Sequence, residues 1–278
     1  MLYTPESPLR RPLTLVHQIF TDIWNNRELI WTLAFRDLKA QNRQALLGHL
    51  WLIIPPLANA FIWLLINQQK LILVETEGVP YSIFVFIGTT VWTAFTNCVM
   101  TPSDSISNNR EVLVKLNVSI EAFVLSGLLK TAINFLIVIA IVTPILLTFG
   151  LAFRWTWILF PLAMLFIFSL GFALGLLVSP LGAIYQDIKN SFVPIFAVLM
   201  FTAPIVFPLP KKPGFLATIV SWNPLTPLIQ FTRDCLLTGN LSHLPDCVMI
   251  TALAWSFLLV GFMALRVAKP HIIARMGM

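Results

Sequence analysis

The sequence predicts an all-α polytopic membrane protein with six transmembrane helices. Of its 278 residues, 58% are hydrophobic and only 11% are charged, whereas a soluble domain carries about 25% charged residues. Apolar runs that approach the ~20 helical residues needed to cross a bilayer recur along the chain. The basic residues follow a positive-inside distribution without the aromatic–basic interleaving of a nucleic-acid-binding face. We therefore expect one transmembrane domain over 1–278, in contact with membrane lipid and without a nucleic-acid partner.

The N-terminal segment 13–36 predicts an amphipathic helix in the cytoplasmic interface. Apolar residues recur there at helical spacing, charged residues lie between them, and Trp24 and Trp31 flank them. An ordinary packed cytoplasmic helix would show the same periodicity. The first 35 residues are polar and basic and lack the compact apolar core of a cleavable signal peptide, so we expect none.

The first transmembrane span is predicted at about 45–66, directly after Arg36, Lys39 and Arg43, and the pair Pro55–Pro56 is expected to kink it. The remaining spans are predicted at about 81–100, 121–149, 157–179, 191–207 and 247–267. Within span three, Lys130 either reaches the interface or lies inside the bundle. Gly171 and Gly175 in span four have the spacing of small residues that allow close helix packing.

The topology follows from the distribution of positive charge. With six spans and both termini cytoplasmic, most of the 18 Lys and Arg residues lie on the cytoplasmic side. Lys and Arg are retained on that side during insertion, so the opposite orientation would violate the rule at both termini.

A polar stretch after span two predicts a short amphipathic helix over 105–116. Ile106, Val112 and Leu113 are expected to face the membrane, while Arg110 and Lys115 face water.

The segment 209–240 has a different pattern, because prolines and glycines divide it into apolar runs too short to span. We expect two short re-entrant or interfacial helices, at about 214–221 and 225–237. Arg233 and Asp234 would end the second helix near the headgroups, where both charges are hydrated.

The chain contains no motif that predicts catalysis. It lacks a phosphate-binding G-x-x-x-x-G-K-[ST] loop, H-E-x-x-H and G-x-S-x-G. Its three cysteines are scattered, so free thiols are expected, with a Cys235–Cys247 disulfide as the alternative. The predicted spans hold few ionisable residues and no internal repeat is visible, which disfavours a secondary carrier. We therefore expect neither an enzyme nor a bound cofactor or metal, and an energy source outside this chain.

Several spaced motifs resemble one family. They are R-D-L-K at 36–39, L-L-G-H-L-W at 46–51 followed by the proline pair, Y-Q-D-I-K-N at 185–190, P-I-V-F-P at 204–208 and N-P-L-T-P-L-I-Q-F-T-R-D-C-L-L-T-G at 223–239. With these motifs in this order and spacing, the chain resembles the permease subunits of polysaccharide ABC exporters. These are type-2 permeases that export O-antigen, capsule or teichoic-acid polymers. One departure is Gln186, which stands where a basic residue is expected before Asp187 and puts in doubt a salt bridge there.

The resemblance implies a homodimer of six-span subunits with two copies of a cytoplasmic ATP-binding subunit. ATP and Mg²⁺ would bind to that partner, and a lipid-linked polysaccharide would cross the bacterial inner membrane. The helix over 105–116 would be the coupling helix, with its ATPase contacts at Ser105, Asn108, Asn109, Arg110, Glu111 and Lys115. A cytoplasmic-interface group would be a second ATPase contact or a headgroup anchor: Arg36, Asp37, Lys39 and Arg43. The segment 209–240 would gate the outer mouth, with Phe215, Trp222, Asn223, Pro224, Arg233 and Asp234 as its principal residues.

Two alternatives stay open at this point. A type-2 ABC permease for a small hydrophobic or drug-like substrate would share the architecture, and a secondary carrier or membrane-embedded enzyme belongs to another class. A neighbouring gene for a Walker-type ATPase would separate the permease from the carrier, and nearby glycosyltransferase genes would separate a polysaccharide from a drug. The sequence leaves open the identity of the polymer, its lipid anchor and any sugar-binding extension of the ATPase.

Overall fold

A computed structural model describes residues 12–42, 46–69, 79–115, 118–148, 153–210 and 212–276, and the regular structure in these ranges is helical. The α-helices are α1 Pro12–Asn25, α2 Arg27–Asn42, α3 Ile54–Gln68, α4 Tyr81–Asn108, α5 Arg110–Lys115, α6 Ile120–Thr148, α7 Phe160–Ile184, α8 Gln186–Leu199, α9 Phe215–Trp222, α10 Leu225–Arg233 and α11 Leu244–Met276. Short 3-10 helices cover Gly48–Leu52, Trp155–Leu159 and Met200–Thr202, and a π-helical turn covers Asp234–Thr238.

Four helices in the described ranges are long and apolar enough to cross a membrane. The apolar stretches are Tyr81–Asn108 in α4, Ile120–Ala140 in α6, Trp155–Ile184 in α7 with the 3-10 helix before it, and Leu244–Arg275 in α11. They correspond to predicted spans two, three, four and six. α4 lies at the centre, packed against α3, α6 and α7, and α7 packs in turn against α11. Together with the composition, these helices make the chain a multi-pass membrane protein.

The bundle has two chemically distinct ends. We call one the basic end; it holds the end of α4, α5, the starts of α6 and α8 and the end of α11, with Lys115, Lys189 and Arg266 among its cations. The far end holds the start of α4, where the Tyr81 hydroxyl donates to the Val206 carbonyl (2.9 Å). The helices α9 and α10 also lie at the far end.

The glycines of α7 bring it into direct contact with α4, as their spacing predicted. A Cβ atom on Gly175 would overlap the backbone of Val99, and one on Gly171 would crowd Cys98 and Phe95. Larger side chains at these positions would therefore separate the two helices, so the G-x-x-x-G pair is a packing device.

Predicted span one is not a continuous helix kinked by its prolines. A 3-10 helix over Gly48–Leu52 precedes α3, which begins at Ile54. Pro55 lies in the first turn of α3, where backbone N–H groups have no partner within the helix and proline is tolerated. The interruption therefore precedes the proline pair.

Predicted span five, 191–207, is also wrong as one helix. α8 begins at Gln186 and ends at Leu199, and a 3-10 helix follows to Thr202. Ala203 then has extended backbone (φ −119°, ψ 151°) because the ring of Pro204 disfavours helical geometry in the preceding residue.

The N-terminal segment forms two helices instead of the single one predicted over 13–36. α1 ends at Asn25 and α2 begins at Arg27, although the backbone bonds of Asn26 stay helical: its N–H donates to the Asp22 carbonyl (3.0 Å) and its carbonyl accepts from the Ile30 N–H (2.9 Å). The Asn26 side-chain amide also donates to the Asp22 carbonyl (2.7 Å). Large aromatic side chains of both helices are exposed: Phe20, Trp24, Trp31 and Phe35. Helices in the membrane interface would expose such side chains to lipid, and this position stays a prediction.

Ion pairs tie α1 to the bundle, a connection that the sequence did not reveal. The Arg266 guanidinium on α11 pairs with Asp22 on α1 and with buried Glu121 on α6 (3.4 Å). These residues lie far apart in the chain, and their charges meet only because three helices converge at the basic end.

Candidate transport and coupling sites

The predicted coupling helix is divided between two elements. Ser105 and Asn108 belong to the last turn of α4, Asn109 forms a turn, and Arg110–Lys115 is the separate helix α5. The prediction of a single helix over 105–116 was therefore wrong, and position 116 lies outside the described residues. The Asn109 amide donates to the Ser105 carbonyl (2.8 Å) and so takes the acceptor that a continuing helix would use.

This division separates the candidate ATPase contacts by exposure. Ser105 and Asn109 are buried, while the remaining four candidates are exposed: Asn108, Arg110, Glu111 and Lys115. Lys115 pairs with Glu111 one turn away (3.7 Å), and both side chains are largely in solvent. A partner at this end would thus meet the face of α5 that carries these charges.

The apolar face of α5 is held by the protein and not by the membrane. Ile106 and Leu113 are buried in a cluster that also includes residues of α6, α7 and α11, and Val112 packs against it. The expectation that these three residues face lipid was wrong, because α5 folds back onto the bundle. The helix is consequently packed against its neighbours α4 and α11.

The cytoplasmic-interface group meets the same turn. The Arg36 guanidinium on α2 donates to the Asn109 side-chain oxygen (2.8 Å) and pairs with Asp37 (2.8 Å). Lys39 is exposed, and Arg43 lies outside the described residues. Arg36 therefore braces the turn between α4 and α5.

A salt bridge joins α8 to α4, although Gln186 put in doubt an ion pair at its own position. Lys189, one turn into α8, pairs with Asp104 near the end of α4 (2.6 Å), while Gln186 and Asp187 are exposed. The basic residue that fixes α8 to α4 is thus present, three positions after Gln186.

At the far end, the segment predicted as two short helices contains α9 and α10, joined at Asn223 and Pro224. The Asn223 amide donates to the Thr202 carbonyl and hydroxyl (3.1 Å each), and its oxygen accepts from the Leu225 N–H (2.9 Å). Phe215 and Trp222 are 84% and 85% exposed. These apolar side chains need lipid or another protein surface, whereas the re-entrant position of the helices stays a prediction.

Arg233 is buried, not hydrated as predicted. Its side chain is 3% exposed and lies over the Phe84 ring, 3.5 Å from the centroid. The guanidinium donates to the carbonyls of Pro204 (2.5 Å), Ile205 (2.6 Å) and Phe84 (3.2 Å). Gly88 leaves the required space, since a Cβ atom there would overlap the guanidinium. Arg233 thus joins α10 to α4 and to the irregular segment after α8.

Asp234 does not accompany Arg233 into this site. It is half-buried and accepts a hydrogen bond from the Thr238 hydroxyl (2.9 Å) within the π-helical turn. Burial raises the pKa of Asp234, and this hydrogen bond opposes that effect. The turn itself is held by Thr156 and Trp157, which donate to the carbonyls of Cys235 (2.7 Å) and Leu236 (3.0 Å).

We expect Arg233→Ala to lower the free energy of unfolding by about 3 kcal/mol, because it leaves buried carbonyls without donors. Arg233→Lys should recover only part of this loss, since an ammonium cannot reproduce the planar fork of guanidinium N–H groups. Arg154→Ala is the matched control: Arg154 is exposed and donates to one carbonyl, that of Thr238 (3.1 Å), so it should cost less than ~1 kcal/mol. Denaturant unfolding in detergent micelles measures all three, and equal losses for Arg233→Ala and Arg154→Ala would contradict the assignment.

The structure agrees with the expectation of free thiols and not with a Cys235–Cys247 disulfide. Cys98, Cys235 and Cys247 are free and buried, and the Cys247 thiol contacts the Pro227 carbonyl (3.4 Å). They contribute to packing in the bundle.

Lys130 faces a polar cavity formed by α2, α4 and α6. The cavity lies at the basic end and Lys130 is partly exposed there, so both positions that the sequence allowed for Lys130 stay open. The cavity itself was not visible in the sequence, because α2, which borders it, comes from a distant part of the chain.

Comparison with known proteins agrees with this architecture. The family model described as ABC-2 type transporter matches residues 28–237. An O-antigen export system permease protein RfbA of Myxococcus xanthus is 23% identical over 244 residues, covering 85% of this chain and 90% of the relative. Two proteins of the same name from Klebsiella pneumoniae are 26% and 24% identical over 220 residues, covering 78% of this chain and 83% of each relative. The matched region includes the turn between α4 and α5, three of the four long helices (α4, α6 and α7) and the short helices of the far end, and the chain belongs to the ABC-2 type transporter family.

Proposed function

We propose that this chain is the membrane-spanning subunit of an exporter that moves a lipid-linked polysaccharide, such as O-antigen, across the bacterial inner membrane. The observation that carries the proposal is its similarity, over at least 78% of the chain, to three proteins named as O-antigen export permeases. ATP hydrolysis on two copies of a separate cytoplasmic subunit would drive export. This chain would bind no nucleotide itself, in keeping with its lack of a phosphate-binding loop motif.

Six spans are compatible with the observed helix lengths. The 3-10 helix Gly48–Leu52 and α3 together extend about 32 Å, and α8 with the 3-10 helix Met200–Thr202 extends about 27 Å. Both lengths are close to the ~30 Å thickness of the hydrocarbon core. The basic end would be cytoplasmic, with both termini, because it collects the cations that the positive-inside rule retains there.

A homodimer would cover α3 and α8, the two helices that bring the proposed number of spans to six. No residue of α8 is fully buried, although most of its length is apolar. Exposed apolar side chains also line α3: Leu57, Phe61, Ile62 and Leu65. Trp63 of α3 and Phe201 after α8 are in edge contact, with their ring centroids 6.4 Å apart. The adjacent surfaces of α3 and α8 could therefore pack against a second subunit and border a path for the glycan.

The ends of the bundle suit different tasks in export. At the basic end α5 would dock on the ATPase, since it is charged on its exposed face and anchored by Leu113 on the other. At the far end α9 and α10 would close the outer mouth at rest and move aside for the polymer.

Deletion of the chain should abolish delivery of the glycan to the cell surface and cause lipid-linked glycan to accumulate inside the cell. Re-expression should restore export, and a reporter fused after Met278 should read as cytoplasmic. The matched control is re-expression together with an ATPase partner that cannot hydrolyse ATP, which should not restore export. A normal amount of surface glycan in the deletion strain would refute the proposal that the substrate is a polysaccharide. Altered sensitivity to hydrophobic compounds would favour a small hydrophobic substrate.

A further inference from the structure

The seam between α4 and α6 holds three cavities that share lining residues. At the basic end lies a polar cavity of about 310 Å³, and towards the far end lies an apolar cavity of about 190 Å³. A third, small cavity of about 30 Å³, which we call the neck, borders both: it shares Asn97 and Asn134 with the polar cavity, and Phe135 and Val138 with the apolar one. We call this row of three cavities the groove; it is polar at one end and apolar at the other.

The polar cavity carries a surplus of positive charge. Its two carboxylates already have cationic partners, because Asp37 pairs with Arg36 (2.8 Å) and Asp104 with Lys189 (2.6 Å). Lys130 also lines the cavity, and no ion pair joins it to a carboxylate within the described residues. An ionisable residue inside a spanning helix normally serves a ligand or a pathway, and here the unmatched charge favours an anion.

A second unmatched group lies one turn further along α6. The Asn134 side-chain nitrogen donates to Gln41 (3.2 Å), whereas its buried oxygen has no hydrogen-bond partner among the described residues. A buried acceptor of this kind is stabilised by a donor such as a hydroxyl group. The described lining of the cavity contains no aromatic ring on which a sugar face could stack. A phosphate that carries neighbouring hydroxyl groups satisfies both unmatched groups.

The length of the groove suits a hydrocarbon chain below such a headgroup. The Thr101 and Thr131 hydroxyls meet beside Lys130 (2.8 Å), and Ile87 lines the apolar cavity. The 14 helical residues from Thr101 to Ile87 rise about 21 Å. This exceeds the ~15 Å depth of one leaflet of the hydrocarbon core.

We propose that the α4–α6 seam binds a phosphate-headed lipid, with its headgroup at Lys130 and Asn134 and its chain running through the neck into the apolar cavity. The lipid could be a membrane phospholipid with a glycerol headgroup or the lipid that carries the glycan. Only the second source rests on the proposed function.

Native mass spectrometry of the full chain in mild detergent tests the site. The probes are phosphatidylglycerol, whose headgroup has free hydroxyls, and phosphatidylcholine, whose headgroup has none. We expect the unaltered chain to retain phosphatidylglycerol about tenfold better, and Lys130→Gln to lose about tenfold of that retention, because a charged hydrogen bond is removed. Lys130→Arg should retain the lipid. Lys212→Gln is the matched control, since Lys212 is exposed and belongs to the segment before α9.

A variant of the neck gives a second, independent measurement. Val138→Phe narrows the passage without altering charge and should also reduce retention, with the melting temperature reporting whether the protein remains folded. Equal retention of the two lipids by the unaltered chain, or unchanged retention by Lys130→Gln, would overturn the proposal. Purification from strains that make or lack the glycan separates the sources, because Lys130-dependent recovery of lipid-linked glycan assigns the site to the substrate. Phosphatidylglycerol alone would assign it to a bound membrane lipid and would leave the export proposal to its own test.

Discussion

Replacing Arg110 and Glu111 together by alanine is expected to reduce glycan export at least tenfold while the partner subunit continues to hydrolyse ATP. Both residues are exposed on α5, and the opposite face of this helix is fixed by buried Leu113. A force applied to α5 would therefore pass into α4 and α11, which it contacts. Without the charged contacts the ATPase would cycle without moving the bundle, so we expect at least a tenfold loss of export, the effect of about 1.4 kcal/mol.

This prediction requires that the altered protein still inserts and folds. Membrane content and melting temperature should stay close to those of the unaltered chain, since Arg110 and Glu111 are both exposed and the Glu111–Lys115 pair lies in solvent, where such pairs stabilise helices by about 0.3–0.5 kcal/mol. Replacement of Asp246, exposed in the first turn of α11 at the far end, is the control and should leave coupling intact. Crosslinks from α5 that reach lipid and never the ATPase would contradict the docking assignment, as would coupled export by the double variant.

A disulfide between positions 202 and 223 is expected to block export reversibly. The Asn223 amide contacts the Thr202 hydroxyl (3.1 Å), so the side chains at these positions face each other, and we expect cysteines there to join when motion of the junction brings their β-carbons to within the ~4 Å of a disulfide. The bond would hold the junction of α9 and α10 against the segment that follows α8. If these helices must move aside for the polymer, oxidation should reduce export to background and a reducing agent should restore it.

The native thiols do not complicate this experiment, because Cys98, Cys235 and Cys247 are all buried. Each single-cysteine variant, treated with the same oxidant, is the matched control and should continue to export. A long flexible crosslinker between the same positions should permit partial export, since it allows the helices to separate. Full export by a completely oxidised pair would refute the outer gate.

The sequence alone determined the class of protein and the main helices. Its apolar composition and the length of its runs predicted four helices that the structure contains, because burial of backbone polar groups in a membrane leaves few alternatives to a helix. The interruptions at Pro and Gly likewise marked α9 and α10 as separate short helices. These features depend on local composition and spacing, which a sequence displays directly.

The helix boundaries were predicted less well where a nearby side chain or a proline interrupts the helical hydrogen bonds. Asn109 ends α4 by bonding to the carbonyl four residues earlier, and Pro204 ends the helical path after α8 at Ala203. Both signals were visible in the sequence, but periodicity was the stronger pattern and favoured longer helices. A side-chain amide and a proline ring thus set these boundaries.

Which polar residues are exposed and which are paired depends on contacts that form only in the folded bundle. Arg233 was expected in the headgroups, yet three carbonyls and the Phe84 ring receive it inside the bundle. Arg266 meets Asp22 and Glu121, and Lys130 lines a cavity bordered by α2. These partners lie tens to hundreds of positions apart in the chain, so the free energy of placing each charge depends on groups that only folding brings together.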